Sequence, residues 1–124
     1  MTEGEVFPAV GEDGFERLVA AFYKQIPGDP ILGPMYPADD LAGAEERLRE
    51  YLIYRFGGPE RYIEARGHPR LRARHMQFPI TVAASDRWFE LMTRALAEAS
   101  LPREAEPVLR NFFSNMATFL RNRE

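Results

Sequence analysis

The chain reads as an all-α domain, and three observations carry that reading. Apolar residues recur every three to four positions in four long segments, the period of a helix with one buried face. No segment sustains the period-two alternation of a half-buried strand. Gly and Pro clusters fall between the periodic segments, where helices have to stop. With 124 residues and no repeat, low-complexity tract or long linker, the chain reads as one domain able to bury a single core.

Residues 1–11 read as an entry segment, with Phe7 and Val10 as its anchors, ahead of a domain over 12–121. From Glu12, Phe15, Leu18, Val19, Phe22, Tyr23 and Ile26 follow the helical rhythm and predict a helix over 12–26, stopped by Pro27-Gly28-Asp29-Pro30. Ile31 to Pro37 is apolar but broken by Gly33, Pro34 and Pro37, the pattern of a loop that lines a pocket or caps a core. Asp39-Asp40 offer N-caps to a second helix carrying Leu41, Ala44, Leu48, Tyr51, Leu52 and Phe56, which Gly57-Gly58-Pro59 ends. Residues 60–67 form an ambiguous connector with Tyr62 and Ile63 able to pack. Pro69 suits the first position of a short helix reaching His75, broken by Phe78-Pro79. Helices over 82–99, with Trp88, Met92, Ala95 and Leu96 on one stripe, and over 103–121 complete the four principal elements.

Composition narrows the chemistry. Apolar residues at 45% and charged residues at 28% are ordinary for a globular domain and argue against disorder. The absence of cysteine excludes disulfides, thiolate catalysis and Cys-ligated metals. The acidic start, Met1-Thr2-Glu3-Gly4-Glu5, lacks the basic and apolar regions of a signal peptide, and no apolar run approaches the roughly 20 residues of a membrane span, so a cytoplasmic protein is expected. Ser85, Ser100 and Ser114 lie outside any nucleophile-elbow pattern, and Gly57-Gly58 leads into Pro59 rather than a phosphate-loop Lys. The acid pairs Asp39-Asp40 and Glu45-Glu46 read as caps and solvated charge.

What remains is the run Arg66 to Phe78, which holds both histidines. His68 and His75 are seven residues apart, not the spacing of a zinc helix. A lone His closing a short basic helix is more often structural than a ligand, and His68 before Pro69 reads as a capping or surface residue. Five of the chain's fifteen Arg fall between Arg61 and Arg74, a cluster suited to one planar anion, to ion pairs, or to a nucleic-acid surface. Tyr23, Tyr36 and Trp88 each carry one polar tip on an apolar face, and Ala44 leaves room where a larger side chain would fill it.

Taken together, Phe22-Tyr23, Met35-Tyr36-Pro37, the run Asp39 to Arg49, Gly57-Gly58-Pro59, the run Arg66 to His75 and Asp86-Arg87-Trp88 resemble a group II truncated haemoglobin, in order, from about Val10 to Phe119. The resemblance implies a shortened globin, two helices packed across two, around haem b. It implies His75 as the proximal iron ligand and Tyr23, Tyr36 and Trp88 as polar distal residues, with Ala44 and Leu48 lining the distal helix face. Arg47 and Arg74, with Tyr62, would meet the haem propionates. Met35, Leu41, Leu52, Phe56, Leu71, Phe78, Ile80 and Met92 would form apolar walls. The carbonyl of Leu71, four residues back, is the expected acceptor for the second N–H of His75. Arg55-Phe56 departs from the aromatic-Trp pair of many relatives, a change expected to alter packing rather than remove haem.

The implied partners are O2, CO, NO or peroxide. Several distal donors favour tight ligand binding or redox chemistry over simple O2 delivery, with weak peroxidase or NO-detoxifying activity that draws electrons from a separate reductase. A haemless helical interaction module, or a nucleic-acid binder using Arg61 to Arg74, is the competing expectation. No oligomeric state follows from the residues.

Overall fold

The computed structural model describes residues 1–123, and among them there is no strand. Six α-helices follow a 3-10 turn at Glu3–Glu5: α1 (Val6–Tyr23), α2 (Leu41–Arg55), α3 (Arg61–Arg66), α4 (Leu71–His75), α5 (Val82–Glu98) and α6 (Ala105–Phe119). A further 3-10 turn, Gly33–Met35, interrupts the loop between α1 and α2. Helix α1 packs on α2, α5 and α6, α5 packs on α6, and α3 rests on α2, so the four long helices make two crossed pairs. No helix among the described residues is long and apolar enough to cross a membrane.

The four long helices lie where their periodicity placed them, and their ends carry most of the differences. Helix α1 is broken at Gly11 (φ 71°, ψ 172°): its long regular part begins after that break, at the expected Glu12, and a short helical stretch from Val6 precedes it. Pro8 is tolerated because it sits in the first turn, where backbone N–H groups have no partner to lose. Gly11 absorbs the break with a φ that side-chain-bearing residues avoid. Within the stretch read as an entry segment, residues 6–10 are helical, and Val6 and Val10 are buried while Phe7 is half-buried against Phe15. At its other end α1 stops at Tyr23, and Ile26 stays buried in the following turn.

Helix α2 begins as expected, with the Asp40 carboxylate accepting the Gly43 N–H at 3.2 Å. It ends in a Schellman arrangement: Gly57 N–H donates to Tyr54 O at 3.1 Å and Gly58 N–H to Ile53 O at 2.8 Å. The connector after it is the short helix α3, tied down by Arg61, which bridges Glu50 of α2 and Glu12 of α1. Helix α4 starts at Leu71, not at Pro69. The His68 imidazole accepts the Arg70 N–H at 3.1 Å, and Arg70 takes a left-handed conformation (φ 46°) that turns the chain before the helix begins. Thr81 caps α5 by accepting the Ala84 N–H at 3.1 Å. Helix α6 runs over Ala105–Phe119, shorter than expected at both ends.

The solid core lies between α1, α5 and α6, around Phe15, Leu18, Phe22, Leu91, Met92, Leu109 and Phe113. Phe56 closes it at the end of α2, 5.8 Å from Phe15 and 4.9 Å from Phe112 between ring centroids. Gly58 sits under Phe7 so tightly that an added Cβ would lie 2.6 Å from Phe7 Cε1 and 2.8 Å from Ile53 Cγ2. Gly58→Ala is accordingly expected to destabilise the fold by about 1–3 kcal/mol through overpacking, measured as a lower denaturant midpoint at unchanged slope.

Candidate functional site

Helix α4 spans five residues, too few to persist without outside contacts, and it ends on His75. The His75 Nδ1 lies 2.6 Å from the carbonyl oxygen of Leu71. A carbonyl only accepts, so Nδ1 carries the proton, and Nε2 keeps its lone pair. The sequence expectation for this contact is met. The ring is half-buried and borders a cavity of about 950 Å³, at the upper end of the range for small-molecule and cofactor sites.

Every helix except the short 3-10 turn at the start contributes to that cavity's surroundings. Tyr23 of α1, Leu32, Met35 and Tyr36 of the following loop, and Ala44, Leu48, Tyr51 and Leu52 of α2 form one part of its wall. Tyr62 of α3, Leu71, Arg74 and His75 of α4, and Phe78 and Ile80 beyond it form another. Ala84, Ser85 and Trp88 of α5 and Phe112, Phe113, Met116 and Ala117 of α6 complete it. The walls are mainly aliphatic and aromatic, and no carboxylate lines them among the described residues.

The polar tips inside are few and specifically engaged. Tyr23 donates its hydroxyl proton to the Ala44 carbonyl at 3.1 Å, so the phenol expected as a free donor is committed to the backbone of α2. Its ring meets Tyr36 edge-to-face, with centroids 5.6 Å apart at 90°. Burial pushes both phenols well above their ordinary range; beside Tyr36, the Trp88 indole partly offsets the rise, and for Tyr23 the Tyr36 hydroxyl adds to it. Both therefore keep their protons at neutral pH. Trp88 is held between Phe22 at 5.6 Å and Phe113 at 5.8 Å.

Asp29 organises this corner, and sequence reasoning missed it by reading Pro27-Gly28-Asp29-Pro30 only as a helix stop. Its side chain is 1% exposed, and one carboxylate oxygen accepts the N–H groups of Ile31 (3.1 Å) and Leu32 (2.8 Å). The other pairs with Arg87 Nε at 2.6 Å. Burial alone would raise its pKa, but the Leu32 N–H, the Arg87 guanidinium and the Ile31 N–H together hold it below the usual carboxylate value. Asp29 thus ties the loop bearing Tyr36 to the helix bearing Trp88.

Arginines border the cavity. Arg74 donates to the Arg66 carbonyl at 3.2 Å, Arg66 lies over the Tyr62 ring at 5.9 Å, and Arg47 pairs with Asp40 at 3.3 Å. Arg66 was not singled out from sequence as a border residue. Of the residues expected at a cofactor, Leu41, Phe56 and Met92 do not reach the cavity: Leu41 packs half-buried at the start of α2, while Phe56 and Met92 belong to the solid core. Their helical phase was right, but one apolar stripe serves both cavity and core. Leu32 lines the cavity from the loop expected to line a pocket or cap a core, while Tyr51, Phe112, Phe113 and Met116 line it unforeseen, and only the apolar periodicity of their segments hinted at it.

Among the described residues no three of His, Cys, Asp or Glu converge where they could hold a metal ion. A metal ligated by the one lone pair of His75 must therefore bring its other ligands with it. A flat apolar macrocycle with acidic substituents suits this donor set: one imidazole nitrogen, an apolar wall of matching size, and guanidinium groups at the border. Helices crossed in pairs around such a site define a small haem-binding globin.

The comparisons agree with this. The family model of the bacterial-like globins matches residues 5–122. The group 2 truncated haemoglobin YjbI of Bacillus subtilis is 37% identical over 103 residues, 83% of this chain and 77% of its own. The crystal structure of haemoglobin from Chloroflexus aurantiacus superposes with a TM-score of 0.91 at 43% identity, covering 95% of this chain and 98% of that one. The structure of a truncated oxygen-avid haemoglobin from Bacillus subtilis gives 0.88 at 34% identity, covering 94% and 98%. The chain belongs to the group II truncated haemoglobins, and its cofactor is haem b.

The Asp29 anchor has a pH signature. Asp29→Asn is expected to cost about 2 kcal/mol at neutral pH, a charge-assisted contact discounted for the partial exposure of Arg87. A carboxyl held low in the folded state stabilises fully above its ordinary value of 3.8 and loses that contribution as pH falls through its folded value. The stability gap between wild type and variant, followed by urea unfolding, should be constant near neutrality and shrink below about pH 4.

Proposed function

We propose that this chain holds O2 and other diatomic ligands tightly and turns over O2, NO or peroxide with electrons from a separate reductase. Haem-based ligand binding follows from the family. The observation that carries the finer reading is the cavity itself, which receives one imidazole with its Nε2 lone pair unspent and two half-buried aromatic donors, Tyr36 and Trp88. Bound there, haem supplies an iron that takes a diatomic ligand and exchanges single electrons.

In this reading His75 would give its Nε2 lone pair to iron, while Leu71 O, 2.6 Å from Nδ1, would keep the ring from turning and the imidazole electron-rich. Arg47, Arg66 and Arg74, with Tyr62, meet the propionates, Arg66 being an addition from its position beside the cavity. Leu48, Leu52, Leu71, Phe78 and Ile80 press apolar surface on the macrocycle, each Å² contributing about 25 cal/mol. Tyr36 and Trp88 would donate hydrogen bonds to a ligand carrying partial negative charge. Tyr23 already donates its hydrogen bond to the Ala44 carbonyl, so it positions Tyr36 and offers its oxygen as an acceptor. A charge-assisted bond of about 1.5–3 kcal/mol slows ligand release by roughly ten- to a hundredfold. The oxygen-avid relative from Bacillus subtilis supports tight binding.

With phenols held protonated and no carboxylate along the wall among the described residues, the absence of an acid–base group for peroxide cleavage there supports weak peroxidase activity. The nucleic-acid reading is disfavoured because Arg61 is spent on Glu50 and Glu12, and Arg47, Arg66 and Arg74 border the cavity.

Two experiments test this. Purified protein should show a Soret band that shifts on reduction and CO; His75→Ala should lower haem retention at least tenfold and His68→Ala should leave it unchanged, whereas no Soret band even after haem addition removes the haem reading. In stopped-flow O2 dissociation, Trp88→Phe and Tyr36→Phe should each speed release about ten- to a hundredfold, and Tyr23→Phe by less. Unchanged release in both Trp88→Phe and Tyr36→Phe rules out the distal-donor account.

A further inference from the structure

We propose that Asn122 is a positioning residue for His75, clamping the turn that follows the histidine at both ends. The proposal rests on the reading of His75 as the iron ligand. Helix α4 has only one regular turn, and its closing contact, Met76 N–H to Ala73 O, is long at 3.4 Å. The end that carries the ligand therefore needs support from elsewhere in the fold. The last carbonyls of a helix have no partner within it. The His75 carbonyl is one of these, and it accepts the Phe78 N–H at 3.0 Å and the Asn122 side-chain amide, through Nδ2, at 3.1 Å.

The same side chain grips the other end of the turn. Asn122 Oδ1 accepts the Ile80 N–H at 2.9 Å. The backbone reinforces this contact, because the N–H groups of Asn122 (3.0 Å) and Arg123 (3.2 Å) both donate to Ile80 O. An amide is the group this geometry requires, since one end must accept and the other must donate. Only one orientation of Asn122 satisfies both, so the oxygen faces Ile80 and the nitrogen faces His75. Asp would repel the His75 carbonyl, and Leu would leave the two ends joined to each other only through the local contacts of Phe78, whose N–H meets His75 O and whose carbonyl meets the Ile80 N–H, each at 3.0 Å.

The residue before the clamp is itself fixed to the cavity wall. Arg121 donates to Ser85 Oγ at 3.0 Å and pairs with Asp86 at 3.1 Å, and Ser85 donates to the Ala117 carbonyl at 2.8 Å. The segment after α6 is thereby pinned to the first turn of α5, and it holds the His75–Ile80 turn from that base. Phe78 and Ile80, inside the turn, both line the cavity. Leu71 O fixes the rotation of the imidazole ring, while Asn122 fixes the backbone that sets the ring's height and tilt.

The test compares Asn122→Leu and Asn122→Asp with wild type. In deoxy ferrous protein, resonance Raman should show the iron–histidine stretch displaced and broadened in Asn122→Leu, and haem transfer to an excess apoprotein acceptor should run roughly three- to tenfold faster, the scale of one lost hydrogen bond. Hydrogen exchange on the protein as purified should show the Ile80 amide exchanging about tenfold faster in Asn122→Leu. Asn122→Asp keeps an acceptor for Ile80, so it should retain Ile80 protection and still displace the Raman band. An unchanged band and unchanged haem transfer in Asn122→Leu overturn the proposal. So does an unchanged band with exchange accelerated uniformly through α5 and α6, which is the mark of a merely structural residue. A wild-type protein that takes up haem but shows no iron–histidine band overturns the reading of His75 first, and the clamp with it.

Discussion

The buried carboxylate of Asp29 is the charge on which the corner of the cavity holding Tyr36 and Trp88 depends. A carboxylate removed from water is tolerated only when its lone pairs are occupied, and here two backbone N–H groups and one guanidinium occupy them. The requirement dictates the course of the chain: after α1 the backbone must fold back over Asp29 at Ile31 and Leu32, which delivers Met35 and Tyr36 to the cavity. Because Arg87 precedes Trp88, the same ion pair sets the phase of α5 at the cavity wall. Two aromatic donors far apart in sequence are thus referenced to one acid.

A similar economy governs the arginines. One, Arg61, holds α3 against α1 and α2 through carboxylates, while Arg66 and Arg74 stand by the cavity with contacts to ring faces and backbone carbonyls. A carbonyl or a ring holds a guanidinium in place without neutralising it, so these side chains keep their charge available for an anion. The cluster that composition presents as one basic patch is two sets of residues with different work, and their partners tell them apart.

The long helices were legible because burial on one face imposes a period that residues reveal directly, and so was the contact between His75 and Leu71, which α-helical geometry dictates. The break at Gly11 was legible too, but the short helical stretch before it was not, since Pro8 looks like a helix breaker although it falls in a permissive first turn. Nor was the left-handed Arg70, whose conformation follows from the His68 side chain rather than from Pro69. In the site, the family pattern led to fourteen cavity residues but also to Leu41, Phe56 and Met92, because an amphipathic stripe cannot say which of its members face a cavity and which a neighbouring helix. The engagement of the Tyr23 hydroxyl with Ala44, the pairing of Asp29 with Arg87 and the contacts of Asn122 are tertiary: each joins residues whose separation in sequence carries no local signal.

The cavity of about 950 Å³ has one more consequence, for how much of this protein a cell can maintain. Its walls come from every helix, so a cofactor seated there touches all of them and has nothing comparable to bind in the unfolded chain. Binding confined to the folded form raises its population by mass action, by about 4 kcal/mol at a free concentration a thousandfold above Kd. Chains made when haem is scarce lose that contribution and spend more time open to proteases. Abundance would then follow haem supply without any dedicated regulator, through the shape of the fold alone.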